Sequence, residues 1–223
     1  MDMLLVSLVS IFVGWFLAQF TAMFQNYLYR LKIKKYLIEE LKEIQQELER
    51  TLLIYSRQLQ IFALKGVDHG TPIHLSDHIF KNYYKDAILS LNIQQRISFQ
   101  MIHSYIETIN AGIDEHNKIT DELHRKNVLK GPGSITEEEG TLWGNGVKAG
   151  FTNVATAIWH IKFHLNNQRS PNLMPYTEDH KQYLQYLESV EKEISKIIEA
   201  AKKFSREDFE KIYNPKSFAG KFF

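Results

Sequence analysis

The sequence predicts an all-α protein with a single N-terminal transmembrane helix. This helix continues into a long cytoplasmic helix, packed in an elongated four-helix bundle or coiled-coil hairpin. Three observations predict this fold class. Residues 3–24 contain no charged side chain. Apolar residues recur at intervals of three or four through most of the remaining chain, as on one face of a helix. No stretch shows the sustained alternation typical of a strand, so we expect essentially no sheet.

The apolar segment 3–24 is long enough to span a membrane. About 20 apolar residues cover a hydrocarbon core roughly 30 Å thick, and the backbone inside lipid must form its own hydrogen bonds as a helix. A cleaved signal peptide is disfavoured because Met1-Asp2 is not basic and no clear small-x-small site follows. A buried core helix is disfavoured because it rarely runs this long with apolar residues on every side.

Aromatic and basic residues follow the span and predict its orientation. The expected membrane-surface residues are Tyr27, Tyr29, Arg30, Lys32, Lys34 and Lys35. Nothing basic precedes the span, so the positive-inside rule places the N-terminus outside and the C-terminal domain in the cytoplasm. Each cation near the surface also favours anionic lipid by about 1 kcal/mol. We therefore expect contact with membrane lipid in a plasma membrane, and the compact single-domain build favours a bacterial inner membrane.

Small residues recur every four positions within the span and share one helix face: Ser10, Gly14, Ala18 and Ala22. Such a face lets two helix backbones approach closely, so it predicts transmembrane self-association and a homo-oligomer. The alternative is that small residues are simply common in membrane helices.

The first helix should continue without a break to about residue 65, because no Pro or Gly occurs from Trp15 to Lys65. Its length would be roughly 90 Å at the standard rise. An apolar seam follows one side of it: Leu37, Leu41, Ile44, Leu48, Leu52, Tyr55, Leu59 and Phe62. We expect residues 48–62 of the seam to pack within the chain, and the part nearer the membrane to associate between chains.

A second helix is predicted after the loop at 66–72, with Ser76 as its N-cap. The apolar pattern carries it to about Lys126, with an irregularity near Gly112. The segment KGPGS at 130–134 then breaks the chain.

Two further helices follow. Thr136 with Glu139 forms a capping-box pattern at the start of the third helix. Its early turns carry four glycines, which predicts either fraying or a close approach by a neighbour: Gly140, Gly144, Gly146 and Gly150. After a break at 166–175, Thr177 caps the fourth helix. Ser205 with Asp208 suggests a short terminal helix.

These patterns divide the chain into four parts. Residues 1–27 form the anchor, 28–65 a juxtamembrane coiled-coil-like helix, 66–213 a cytoplasmic helical bundle and 214–223 a tail. The formal net charge of +1 gives no reason to expect nucleic acid as a partner. The absence of cysteine excludes disulfides, thiolate zinc sites and cysteine nucleophiles.

Two histidine pairs have a spacing that suits a metal ion: His74 with His78, and His160 with His164. Histidines four apart on a helix face can chelate one ion, for which Asp77 is a conceivable third ligand. Neither pair is an HExxH motif, so both lack the general-base glutamate of a metalloprotease. Surface or half-buried histidines are the favoured interpretation, and we expect no metal, cofactor or catalytic residue.

Other motifs are weaker. The segment GTLWGNGVKAG has no GxxxxGK[ST] pattern and no preceding strand, so it does not predict a phosphate loop. The leading hypothesis is a non-enzymatic, single-pass membrane protein that oligomerises and holds a cytoplasmic partner. The alternatives are a membrane-perturbing or pore-forming effector of the toxin or antiphage type, and a metal-dependent enzyme that uses the histidine pairs.

Overall fold

The computed structural model describes residues 2–205, without the side chains of residues 2 and 4–6. Five helices form within this range: α1 Asp2–Ala63, α2 His78–Ala87, α3 Ile93–Lys130, α4 Glu137–Asn166 and α5 Glu178–Ala201. A 3₁₀ turn at Ile88–Ser90 joins α2 to α3. No strand occurs among the described residues, so the all-helical prediction is confirmed for them. The tail at 214–223, and all but Ser205 of the predicted terminal helix, lie outside the described residues.

Helix α1 changes its surroundings along its length. Its described side chains are exposed as far as Tyr29, and burial begins at Ile33. The seam from Leu37 to Leu59 is then almost completely buried. The expectation that the first part of the seam associates between chains is wrong, because other helices of the same chain cover Leu37, Leu41 and Ile44. We call the packed region from residue 33 to residue 201 the helical body.

The chain reverses direction after α1. Lys65 adopts a left-handed backbone conformation with φ 57°, and the Gly66 N–H donates to the Ile61 carbonyl, which ends the helix. Residues 64–77 then run back along α1. The Glu40 carboxylate accepts hydrogen bonds from the backbone N–H groups of Ile79 and Phe80. It therefore caps the first turn of α2 from a distant part of the sequence.

The predicted second helix is in fact two helices. Ser76 is not an N-cap, because α2 begins at His78 after Asp77, whose side chain makes no cap hydrogen bond. The break lies at 88–92, whereas α3 passes Gly112 without interruption. Asn92 caps α3 in a reciprocal capping box with Gln95. The sequence pattern missed this break because apolar spacing continues through it without Gly or Pro.

Helices α4 and α5 begin where the caps predict. The capping box of Thr136 with Glu139 is confirmed, and Thr177 accepts from the His180 N–H. Two of the four glycines, Gly144 and Gly150, reflect close packing, and α4 is helical from Glu137 onward. A Cβ atom on Gly144 would overlap the Phe62 ring, and one on Gly150 would overlap the Tyr55 ring. Small residues thus let α4 lie directly against the seam of α1.

Side-chain contacts show how the helices alternate in direction. Helix α2 runs antiparallel to α1, since its first turn meets Glu40 whereas Asp86 near its end lies 3.4 Å from the Tyr29 hydroxyl. The turn at 88–92 and the loop at 167–177 therefore lie at the end of the helical body nearest the exposed part of α1. We call this the basal end. The loop at 131–136 lies at the opposite, apical end.

Candidate functional site

The residues predicted to lie at the membrane surface fall on both sides of the point where the helical body begins. Four are exposed, namely Tyr27, Tyr29, Lys32 and Lys35, whereas Arg30 and Lys34 are half-buried. Lys32 Nζ lies 5.6 Å from the centroid of the Tyr36 ring. Lys34 instead turns toward the body, and its Nζ lies 3.4 Å from Gln95 Oε1. One member of the basic cluster is thus part of a site inside the body.

That site is an open cavity of about 360 Å³ at the basal end. Both polar and apolar side chains line it, namely those of Ser90, Asn92, Gln95 and Gln168 together with Ile38 and Phe99. Lys34 and Arg169 supply two cationic groups, and His164 lines its interior. Among the residues that the structure describes, no carboxylate lines the cavity.

The capping box of α3 builds one wall of this cavity. Asn92 Oδ1 accepts from the Gln95 N–H, and Gln95 Oε1 accepts from the Asn92 N–H, both at 2.9 Å. The free amide groups of the same two residues donate across the cavity rim to the backbone carbonyls of Gln168 and Arg169. One motif therefore caps α3 and fixes the loop that carries Arg169.

His164 is among the residues that line the cavity and is itself completely buried. Its Nδ1 lies 2.8 Å from Ser98 Oγ, and its Nε2 has no hydrogen-bond partner among the described residues. Burial, with a smaller contribution from the Lys34 charge, lowers the pKa of His164 to about 4. The ring is therefore neutral at pH 7. When the Ser98 hydroxyl donates to Nδ1, the proton resides on Nε2, which then becomes a free donor.

The electrostatic character of the cavity is positive. Neither Lys34 nor Arg169 has an ion-pair partner among residues 2–205. The first turn of α3 borders the cavity, and helix N-termini favour negative charge. The arrangement suits an anion and offers no paired acid and base for catalysis.

The structure separates the first histidine pair. Residues 71–77 are not helical, so His74 and His78 do not lie on a common helix face, which the chelation alternative requires. His74 Nε2 lies 2.9 Å from Asp114 Oδ1. Asp77 pairs with Lys81 at 2.9 Å and lies 3.6 Å from His103 Nδ1.

The second pair lies on α4, where both side chains are buried. His160 stacks on Tyr105 with a centroid distance of 5.0 Å and packs against Tyr183 at 4.8 Å. Among the described residues, no group of three or more His, Cys, Asp or Glu side chains is placed to hold a metal ion. The histidines of α4 are thus components of an aromatic core in this part of the chain.

The other sequence candidates take separate places. The small-residue face of Ser10, Gly14, Ala18 and Ala22 is exposed, and a Cβ atom on Gly14 would meet nothing within 4 Å. Trp143 is a core residue whose Nε1–H donates to Thr120 Oγ1 at 2.9 Å. Lys148 lies above the Phe62 ring, 5.2 Å from its centroid, and not at a phosphate loop.

Sequence reasoning missed Arg169, Gln168 and the cavity as a whole. Arg169 lies in the segment NNQRSPNLMP, which reads only as a helix break. The available signal was the spacing of Asn92 and Gln95, an N-x-x-Q version of the capping box, which marks a helix start beside Lys34. Comparisons with protein-family models, with curated proteins and with solved structures found no match.

Proposed function

We propose that this chain is a single-pass membrane-anchored interaction protein whose helical body rests on the cytoplasmic face of the membrane. The observation that carries the proposal is the change within α1. The helix is long and apolar enough to cross a membrane, and none of its most apolar window is buried in the chain. Four residues after Tyr29, the same helix enters the core.

The exposed part of α1 is too apolar to be stable in contact with water. Large apolar side chains surround the helix, and Trp15, Phe16 and Phe20 each expose more than half of their surface. A soluble core helix would bury such residues, and a contiguous exposed apolar surface of this size calls for lipid or protein cover. A bilayer covers all sides of the helix at once, which supports the anchor over a one-sided protein contact.

The basal end of the body also suits a membrane surface. Leu89, in the turn between α2 and α3, is 74% exposed, and Ile93 at the start of α3 is 60% exposed. Both lie in the same layer as the end of the anchor, since Asp86 meets Tyr29. Apolar residues here would enter the headgroup region while Lys32 and Lys35 face anionic lipid.

Self-association and partner binding complete the proposal. The exposed face of small residues at Gly14 and Ala18 is free to pack against a second anchor. The pore-forming alternative uses polar groups of the span, but the Thr21 hydroxyl already donates to the Leu17 carbonyl at 2.8 Å. We therefore prefer an assembly that presents several bodies to a cytoplasmic protein.

Topology labelling tests the anchor. The chain has no cysteine, so single cysteines at Met3 and at Gly133 in the apical loop report the two sides without background. A membrane-impermeant maleimide should label Met3→Cys in intact cells and Gly133→Cys only after lysis. Labelling of Gly133→Cys in intact cells, or release of the chain by alkaline carbonate, would refute the proposal.

Crosslinking in membranes tests the assembly. Gly14→Leu should reduce the crosslinked dimer about tenfold if the small-residue face packs, because the larger side chain separates the backbones. The control is Val13→Leu, a conservative change on a neighbouring face that is also exposed. An equal dimer yield in both variants would exclude this face as the contact.

A further inference from the structure

We propose that the basal cavity binds a phosphate group, presented either by the headgroup of an anionic lipid or by a free phosphate ester. The lipid source rests on the proposed membrane function, whereas the phosphate chemistry rests on the cavity alone.

The first step is charge. Lys34 and Arg169 approach the cavity from separate elements, α1 and the loop after α4. Since the described lining contains two cationic residues and no carboxylate, its formal charge is positive. Guanidinium and ammonium groups are the side chains that most often hold phosphate, by two parallel hydrogen bonds and as a point charge respectively.

The second step is an unused donor. His164 Nε2 is buried without a partner, and a buried polar group without a hydrogen bond is costly. Ser98 Oγ lies 2.8 Å from the other ring nitrogen, and in the tautomer in which the Ser98 hydroxyl donates, Nε2 carries the proton. His164 has no solvent-exposed surface, so a phosphate oxygen reaches Nε2 only when the lining side chains of the cavity move apart. It would then accept that hydrogen bond and remove the cost of the buried donor.

The third step is position. Lys34 follows Tyr29 by five residues, about 7.5 Å along the helix axis. The polar headgroup layer of a bilayer extends several ångströms beyond its hydrocarbon core. A cavity at this height opens into that layer, and about 360 Å³ accommodates a phosphate with a small attached alcohol such as glycerol.

The test uses the full chain with ¹⁵N-labelled histidine and arginine in nanodiscs, observed by NMR. Three nanodisc conditions are compared: phosphatidylcholine alone, phosphatidylcholine mixed with phosphatidylglycerol, and phosphatidylcholine alone with added glycerol phosphate. Because phosphatidylcholine itself carries a phosphate group, the reference is the same chain in phosphate-free maltoside micelles. We expect the His164 Nε2 and Arg169 guanidinium signals to shift in the phosphatidylglycerol nanodiscs. A shift with glycerol phosphate alone would assign the site to free phosphate esters.

Charge-matched variants separate the cavity from general surface attraction. Lys34→Gln and Arg169→Gln should each weaken the response about tenfold, the typical value of a charged hydrogen bond. Lys35→Gln removes the same charge one residue along α1, and Arg125→Gln removes it from an exposed position in the apical part of α3. Both controls should retain the shift of His164.

Two results would overturn the proposal. One is the absence of a shift with either phosphate source, and the other is an equal loss in Lys35→Gln and Lys34→Gln. The glycerol phosphate titration is repeated in detergent micelles, so the cavity is tested even when topology labelling refutes the anchor. If the chain is anchored but the cavity does not bind phosphate, only the phosphate-binding proposal is refuted.

Discussion

Single residues determine how closely α4 approaches α1. Gly150 faces the ring of Tyr55, which is 1% exposed and held within the core. We expect Gly150→Ala to lower the free energy of unfolding by about 1–3 kcal/mol, because overpacking outweighs the gain in helix propensity. Chemical denaturation followed by circular dichroism measures the change.

Gly140 is the matched control on the same helix, since a Cβ atom there would meet nothing within 4 Å. Gly140→Ala should raise the free energy of unfolding by up to about 1 kcal/mol through helix propensity alone. Opposite signs for the two alanines are the expected result. If both variants gain stability, α4 does not lie against Tyr55 as described.

The same residues show what sequence reasoning reaches at this scale. The glycine cluster signals either fraying or close packing, and both interpretations are consistent with the sequence. Only the positions of Phe62 and Tyr55 on a distant part of the chain decide between them. Similarly, nothing local identifies Glu40 as the cap of α2, because the two lie 39 residues apart in sequence. Long-range pairing of this kind leaves no periodic pattern.

At the scale of elements, helices α3 and α4 are rich in buried histidine. His103 and His116 lie on α3, and His160 and His164 on α4, each no more than 3% exposed. Burial lowers the pKa of all four, to about 4 for His160. At a pH between the folded and the unfolded pKa of these histidines, the rings are therefore neutral in the folded chain and protonated in the unfolded chain.

This difference in protonation predicts a loss of stability in acid. Between pH 6.5 and pH 4 the unfolded His160 binds a proton and the folded one does not, so the free energy of unfolding falls as pH falls. One histidine contributes up to about 3 kcal/mol across this range. His160→Phe keeps a ring between Tyr105 and Tyr183, and it should reduce the pH dependence by about that amount.

Denaturation of wild type and His160→Phe at pH 8, 6 and 4 measures the effect. At pH 8 the wild-type ring is neutral in both states, so the two proteins should differ by no more than about 1 kcal/mol. The difference should then grow in favour of the variant as pH falls. Parallel curves would show that His160 takes up its proton while folded.

Elements also show where the sequence sufficed. The starts of α4 and α5 follow from Thr136 and Thr177, because a cap is a local interaction with a fixed spacing. The sequence pattern did not reveal the break at 88–92, because the apolar spacing continues through a turn that contains no Gly or Pro. The basal cavity was missed for a related reason, since its cations come from segments far apart in sequence and meet only after the chain folds.

At the scale of the whole molecule, α1 joins the apolar segment to the body without a hinge. The part of α1 inside the body, from Ile33 to Ala63, is about 45 Å long at the standard rise. If the anchor spans the bilayer, the basal turn touches the headgroups and the apical loop stands tens of ångströms away. In that arrangement the body could not tilt freely, because its central helix would also be the anchor.

This geometry predicts the depth of two matched labels. Leu89 at the basal turn and Val128 near the apical end of α3 are both exposed apolar residues. A fluorophore on Leu89→Cys should be strongly quenched by lipids that carry a spin label on the headgroup, because quenching needs close approach. The same fluorophore on Val128→Cys should show nearly the same fluorescence in bilayers with and without the spin-labelled lipid.

Glycine replacement of Leu31 and Lys32 tests whether the continuity of α1 holds the Leu89 label closer to the membrane than the Val128 label. Two glycines cost roughly 2 kcal/mol of helix propensity at the junction, and they lie before burial begins at Ile33. We expect quenching of the Leu89 label to fall as the body gains freedom, while the chain stays in the membrane fraction. The control replaces the same two residues by alanine, which removes the Lys32 charge as the glycines do but keeps the helix.

Equal quenching of the Leu89 and Val128 labels in the chain without these replacements would mean that the body lies flat on the membrane, and would contradict an upright helix α1.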